Sequence, residues 1–89
     1  MKEISLTLDV YGSVITYRQQ ENGDITAVRG KGGKKNILKY TQEDLKKLTV
    51  GGLVGVSRRY GIDSLRGKTL YGLSTILKRS SDGSYIIKG

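Results

Sequence analysis

Ile4, Leu6, Leu8 and Val10 alternate with Ser5, Thr7 and Asp9, and this period of two commits the start of the chain to a half-buried β-strand. Tyr11-Gly12-Ser13 then turns the chain. Two further runs, Val14 to Gln20 and Ile25 to Arg29, flank Asn22-Gly23, a pair that tolerates positive φ and favours a two-residue type I′ hairpin. Such a loop sets Tyr17 opposite Val28 and Arg18 opposite Ala27, so Tyr17 and Val28 are expected on the core face. With a short fourth run from Asn36 to Tyr40, residues 2–40 read as a three- to four-stranded antiparallel meander.

The remainder reads as helical. Thr41-Gln42-Glu43-Asp44 has the form of a capping box, with Thr41 as N-cap and Asp44 at N3. Tyr40 and Leu45 are placed to staple that helix, which is expected to run to about Leu48. From Lys68 to Arg79, at 100° per residue, Leu70, Leu73, Ile76 and Leu77 share one arc. Lys68, Tyr71, Gly72, Thr75, Lys78 and Arg79 share the other, giving an amphipathic helix with a basic outer face that carries a tyrosine.

Val50 to Tyr60 admits two readings. As a helix it gathers Val50, Leu53, Val54, Val56 and Tyr60 on one arc and Gly51, Gly52, Gly55 and Arg59 on the opposite one, with Arg58 at its margin. As strands it uses Gly51-Gly52 as a hairpin turn. Thr49 as N-cap and Gly61 as the C-terminal stop favour the helix, against a cost of about 1 kcal/mol for each helical glycine. Asp82-Gly83 marks a last turn, and Ser84 to Lys88 reads as a final strand that pairs with the meander's edge or forms a wing beside the last helix. The expected fold is α+β in a single domain: a small antiparallel sheet, two or three short helices and a closing strand.

Charge is distributed unevenly. The 89 residues carry a net +8, yet residues 1–28 have a slight acidic excess. Residues 29–47 hold seven cations against Glu43 and Asp44, and residues 48–79 hold six against Asp63 alone. Cations concentrated in this way favour a polyanionic partner. The chain has no cysteine and no histidine, which removes disulfides, thiolate metal sites and the common hydrolytic triads. Gly67-Lys68-Thr69 lacks the upstream glycine spacing of a phosphate-binding loop, since Gly61 stands one residue too far away. Beyond the capping residues Glu43 and Asp44 the acids are scattered, so neither a carboxylate pair nor a metal site is expected. No cofactor and no enzymatic activity are expected. No apolar run approaches the roughly 18 residues of a membrane span, and with no signal-peptide core the expectation is a cytoplasmic protein with no membrane partner.

Thr49 to Leu77 resembles the helix–extended loop–helix modules of SAP, LEM and Rho N-terminal type domains. The likeness rests on the Tyr60-Gly61-Ile62 step closing a short helix and on Gly67-Lys68-Thr69 leading into a second. Leu70, Leu73 and Leu77 follow, and Thr69-Leu70-Tyr71 is similar to a LEM-type step. The departures are Gly51, Gly52 and Gly55, where such modules carry Glu or Lys, and a Gly67 to Leu73 spacing one residue longer than the SAP pattern. SAP and Rho-type modules bind nucleic acid and LEM modules bind protein, so the resemblance implies binding without choosing the ligand.

The basic residues choose nucleic acid, DNA ahead of RNA. Lys31, Lys34 and Lys35, in the glycine-rich run Arg29 to Lys35, are candidates to lie along a phosphate backbone. Arg58 and Arg59 flank the three glycines, and Arg66 with Lys68 and the helix start after Gly67 forms a second expected anion site. Tyr71 is a candidate to stack on a base, and Lys78 and Arg79 extend the basic face. The alternative is a small interaction or inhibitor module that docks on a protein through its sheet or its glycine-rich helix face. The oligomeric state is left open.

Overall fold

The computed structural model describes residues 4–29 and 36–88. Four strands come first: β1 (Ile4–Val10), β2 (Ser13–Gln19), β3 (Ile25–Arg29) and β4 (Asn36–Tyr40). They form an antiparallel meander in the order β1-β2-β3-β4. Three helices follow, α1 (Gln42–Thr49), α2 (Leu53–Tyr60) and α3 (Leu65–Ile76). A two-stranded hairpin, β5 (Leu77–Arg79) with β6 (Tyr85–Ile87), closes the chain. The α+β architecture expected from the sequence is therefore the one observed. No helix among the described residues is long and apolar enough to cross a membrane.

The turns differ from expectation, and the difference moves side chains. The two-residue loop is Tyr11-Gly12, between the closing pair Val10 and Ser13, with φ of 49° and 83°. Asn22-Gly23 instead sits in a three-residue loop: Gly23 N donates to Gln20 O at 2.9 Å and Gln20 N to Asp24 O at 2.8 Å. Only Gly23 has positive φ there, as in a type I turn followed by a left-handed glycine. The extra loop residue shifts the register by one. Tyr17 faces Ala27 and Arg18 faces Thr26, so Ala27 is fully buried while Val28 stays at the sheet's outer side.

Ile15, Tyr17, Ile25, Ala27 and Val10 form the sheet's share of the core, against Leu45, Leu53, Leu70, Leu73 and Ile76 from the helices. The capping box forms as expected, with Asp44 N donating to Thr41 Oγ1 at 3.1 Å and Thr41 N to Asp44 Oδ2 at 3.0 Å. Tyr40 and Leu45 beside it are both buried. Thr49 does not cap α2. It ends α1, and its hydroxyl bonds to Tyr85 Oη at 2.9 Å. Gly51 and Gly52 both take positive φ between the helices, so Gly55 alone of the three expected glycines lies within α2.

The helix α3 is central, touching α2 on one side and β1 on another. Two glycines make this possible. A Cβ at Gly67 would collide with the Gly61 carbonyl, and one at Gly72 with the Tyr17 hydroxyl. That hydroxyl donates to Thr69 O at 2.8 Å, bonding the sheet to the helix backbone. The close-approach glycines are thus on α3, and the Gly51-Gly52-Gly55 helix face does not exist: a Cβ at any of the three would meet open space.

The closing hairpin is a wing, and side-chain amides attach it to the meander. Gln19 Oε1 accepts from Ile87 N at 2.9 Å, while its Nε2 donates to Tyr85 O at 2.7 Å and Gly23 O at 3.2 Å. Gln42 Oε1 accepts from Tyr85 N at 2.8 Å, and its Nε2 reaches Tyr85 O and Gly23 O, each at 2.8 Å. Two glutamines thereby satisfy the outer edge of β6 that a fifth sheet strand would otherwise have to pair.

Candidate nucleic-acid interface

Helix α3 begins at Leu65, not at Lys68, because Ser64 caps it: Ser64 Oγ accepts from Gly67 N at 3.0 Å. The amides expected to bind an anion after Gly67 lie inside the helix, with Lys68 N donating to Ser64 O at 3.0 Å. Arg66 and Lys68 are 200° apart on the helix, so they face opposite sides and do not build a shared anion site. Arg66 turns toward α1 and stacks on Tyr60, its guanidinium carbon 5.3 Å from the ring centroid. It borders a cleft of about 290 Å³ with Lys39, Tyr40, Asp44 and Lys47. Lys39 pairs with Asp24 at 3.4 Å. Burial pushes the Tyr40 phenol up to about 12, and its hydroxyl has no hydrogen-bond partner among the described residues.

Lys68 and Tyr71 share the other side of α3, one turn apart, over the β1–β2 turn. Lys68 is half-buried and its Nζ donates to Ser13 Oγ at 3.1 Å. Tyr71 packs edge-on against Tyr11, with ring centroids 5.2 Å apart and planes at 67°. Tyr11 is 60% exposed and is the one non-glycine residue with positive φ among the described residues. Hydrogen bonding and charge proximity to the Tyr71 phenol hold the Tyr11 phenol above its ordinary range, while nearby Arg58 pulls weakly downward. Arg58 and Arg59 are both exposed in the last turn of α2, the helix packed beside α3. Between the turn and α3 lies a groove of about 300 Å³, lined by Asp9, Tyr11, Tyr71, Thr75 and the backbone of Gly72 among others.

Lys78 and Arg79 are not on the helix at all. They lie on β5, past the end of α3 and roughly 12 Å or more along its axis from Lys68. Arg79 folds back over its own turn, with Nη2 3.9 Å from the position a Cβ at Gly83 would take. Lys31, Lys34 and Lys35 lie outside the described residues. Of the expected interface residues, the fold brings Lys68 and Tyr71 together over the β1–β2 turn, leaves Arg58 and Arg59 exposed at the end of the neighbouring α2, and sends Arg66 and the pair Lys78 and Arg79 elsewhere. Sequence reading missed Tyr11, although an aromatic beside a turn glycine was the signal available.

The resemblance to helix–extended loop–helix modules does not hold. Residues 61–64 form a tight link between α2 and α3, with Ser64 N donating to Gly61 O at 3.0 Å, not an extended loop. The Gly67-Lys68-Thr69 step lies inside α3, and the helices follow a four-stranded sheet onto which α3 packs. Comparison with protein-family models, curated proteins and solved structures finds no match to this chain.

Proposed function

We propose that this protein binds nucleic acid, DNA ahead of RNA, chiefly through phosphate contacts from Arg58, Arg59 and Lys68 beside the Tyr11–Tyr71 pair. The observation that carries the reading is the Lys68 ammonium set with two aromatic rings at one turn, next to a helix α2 that ends in the exposed Arg58 and Arg59. Guanidinium groups hold phosphate oxygens in bidentate fashion, and aromatic faces accept bases. Because α3 is covered by the sheet on one side and α2 on another, it does not enter a groove as a reading helix; the contacts come from its margin. Such contacts position a strand without reading its sequence.

Titration of labelled oligonucleotides at several salt concentrations tests this. About three neutralised phosphates give a log–log salt slope of roughly −2 on single strands and −3 on duplex. Changing Arg58→Ala and Arg59→Ala together should weaken all sequences alike and flatten the slope by roughly 1 to 2. A salt-independent affinity, or none, would replace this reading with the second one.

The second reading is a protein-interaction module, and the outer sheet face favours it. Thr7, Thr16, Val28 and Ile37 align across the four strands, with Ile37 63% exposed and Val14 nearby 49% exposed. A β-branched row whose β3 and β4 members, Val28 and Ile37, are apolar suits docking of another protein.

A further inference from the structure

We infer that the groove between the β1–β2 turn and α3 takes one unstacked nucleobase bearing an exocyclic amino group, so that the ligand is single-stranded. This inference rests on the nucleic-acid reading above and adds to it which strand state and which base chemistry the site accepts.

Three independent observations converge. The first is backbone strain. Tyr11 holds φ 49° in a two-residue turn, where glycine, asparagine or aspartate is the unstrained choice. A bulky residue in that conformation is an outlier, and such outliers concentrate at functional sites. Its consequence here is to stand an exposed ring at the groove's rim, edge-on to Tyr71. Tyr71 is half-buried and packed on the core, so the exposed Tyr11 ring is the one that offers a face to a flat ligand.

The second is space. The groove's volume of about 300 Å³ is small, matching a single planar ring system and not a duplex. Gly72 is among the lining residues, but its missing Cβ faces the Tyr17 hydroxyl in the core, so the groove is bounded by the side chains of Asp9, Tyr11, Tyr71 and Thr75. A base inside a double helix cannot reach such a slot without leaving the stack.

The third is charge polarity. Asp9 is the acid in the groove wall, while Lys68, bonded to Ser13 at the other end of the β1–β2 turn, and the exposed Arg58 of α2 are not among its lining residues. Asp9 Oδ1 accepts from Gly12 N at 3.0 Å, which fixes the carboxylate and leaves Oδ2 with no hydrogen bond among the described residues. A carboxylate repels phosphate, so the backbone lies toward Arg58 and Lys68 while the base turns toward Asp9. There the free oxygen accepts from an amino group, as carboxylates do from cytosine N4. Thymine and uracil offer carbonyl oxygens at the equivalent edge and are disfavoured.

The test uses fluorescence anisotropy with the full chain and four fluorescein-labelled probes: a 15-mer of dC, a 15-mer of dT, a 15-unit abasic phosphate strand and a 15-base-pair duplex. The expected order is dC tightest, dT about three- to tenfold weaker, and the abasic strand at least tenfold weaker than dC. Tyr11→Asn, which suits a left-handed turn position and so keeps the fold, should bring dC down to the abasic level. Asp9→Asn keeps the oxygen that holds Gly12 N and replaces the free acceptor with a donor, so it should erase or invert the preference for dC over dT. If the abasic strand or the duplex binds as tightly as dC, with the salt slope retained, the groove inference is overturned while phosphate binding stands. If dC exceeds the abasic strand but equals dT and is insensitive to Asp9→Asn, the amino-base assignment is overturned. If no probe binds, both readings are overturned together.

Discussion

The chain closes its hairpins in two different ways. The Tyr11-Gly12 turn is as short as a hairpin loop can be, and it forces a tyrosine into left-handed backbone space. The loops at residues 20–24 and 80–84 are one residue longer and leave positive φ to Gly23 and Gly83 alone. These two are near copies. In each, the residue before glycine turns its Oδ1 back to a backbone amide two positions on, Asn22 to Asp24 N and Asp82 to Ser84 N, both at 3.0 Å. The relaxed loop at 20–24 lies where the glutamine bonds attach the wing, whereas the strained turn lies in the basic, aromatic cluster. Among the described residues Tyr11 alone takes positive φ without being glycine, so the strained backbone lies in the two-residue turn and not in the two longer loops.

Breaking the relaxed side of this comparison should produce the largest effect. Gln19→Leu leaves Tyr85 O with one partner fewer and Ile87 N without its side-chain acceptor, in a buried setting. A loss of about 2–4 kcal/mol in urea unfolding is expected for a pair of groups stranded this way. Oligonucleotide affinity, measured where the variant is still folded, should hold within twofold. Next comes Gly23→Ala, which puts a Cβ at φ 96° and 3.0 Å from Gln42 Cγ. It should lose roughly 1–2 kcal/mol in the same measurement, because an L-residue is strained there.

The strained turn should respond in the opposite direction. Tyr11→Asn is expected to raise stability by up to about 1 kcal/mol while weakening single-strand binding. A variant that loses stability would show that the tyrosine ring's packing on Tyr71 outweighs its backbone cost, and the contrast between the turns would collapse. Smaller still, Arg58→Ala with Arg59→Ala should stay within about 0.5 kcal/mol of the parent in unfolding, since both side chains are exposed. Circular dichroism melts settle that point independently of binding.

The smallest effect separates the two relaxed copies. Hydrogen bonds from Ser84, through its hydroxyl and amide, hold the Asp82 carboxyl below the ordinary range. A carboxyl whose folded pKa lies below its unfolded value stabilises above about pH 4 and loses that contribution as pH falls through the folded value. The 80–84 loop should therefore loosen in acid, seen as faster exchange or a shifted resonance at the Ser84 amide. Asn22 does not ionise, so the Asp24 amide in the sister loop should report no such change from its acceptor. Parallel behaviour of the two amides would mean that the wing loosens as a whole.

Local patterns in the sequence were sufficient wherever neighbouring residues make the decision. Alternation placed the first strand, the Thr41–Asp44 box began α1, and Gly61 ended α2 with its amide on Arg58 O at 3.1 Å. These are interactions between residues four or fewer positions apart, so their chemistry is visible in a short window. Amphipathic spacing found Leu70, Leu73 and Ile76 on the buried side of α3, but it set Gly72 on the outer face, where packing on Tyr17 buries it. It also missed both ends, because Ser64 as cap and the switch to strand at Leu77 interrupt the same periodicity.

What the tertiary structure alone decided is which cations become neighbours. Arg66 and Lys68 are two residues apart in sequence and on opposite sides of α3, while Lys68 and Ser13 are 55 apart and in hydrogen-bond contact. No window along the chain contains that pairing. The packing of α3 is set by Gly67 against Gly61 and Gly72 against Tyr17, two contacts in which an absent Cβ is the determining feature. The wing is held by glutamines from β2 and α1 whose partners lie 43 to 68 residues away. Glutamine at an exposed-looking position carries no periodic signal, and only after the sheet and helices have met does its amide find the β6 backbone. Composition shows an excess of cations along the chain; folding alone sets the Lys68 ammonium on Ser13, next to a tyrosine in a strained turn.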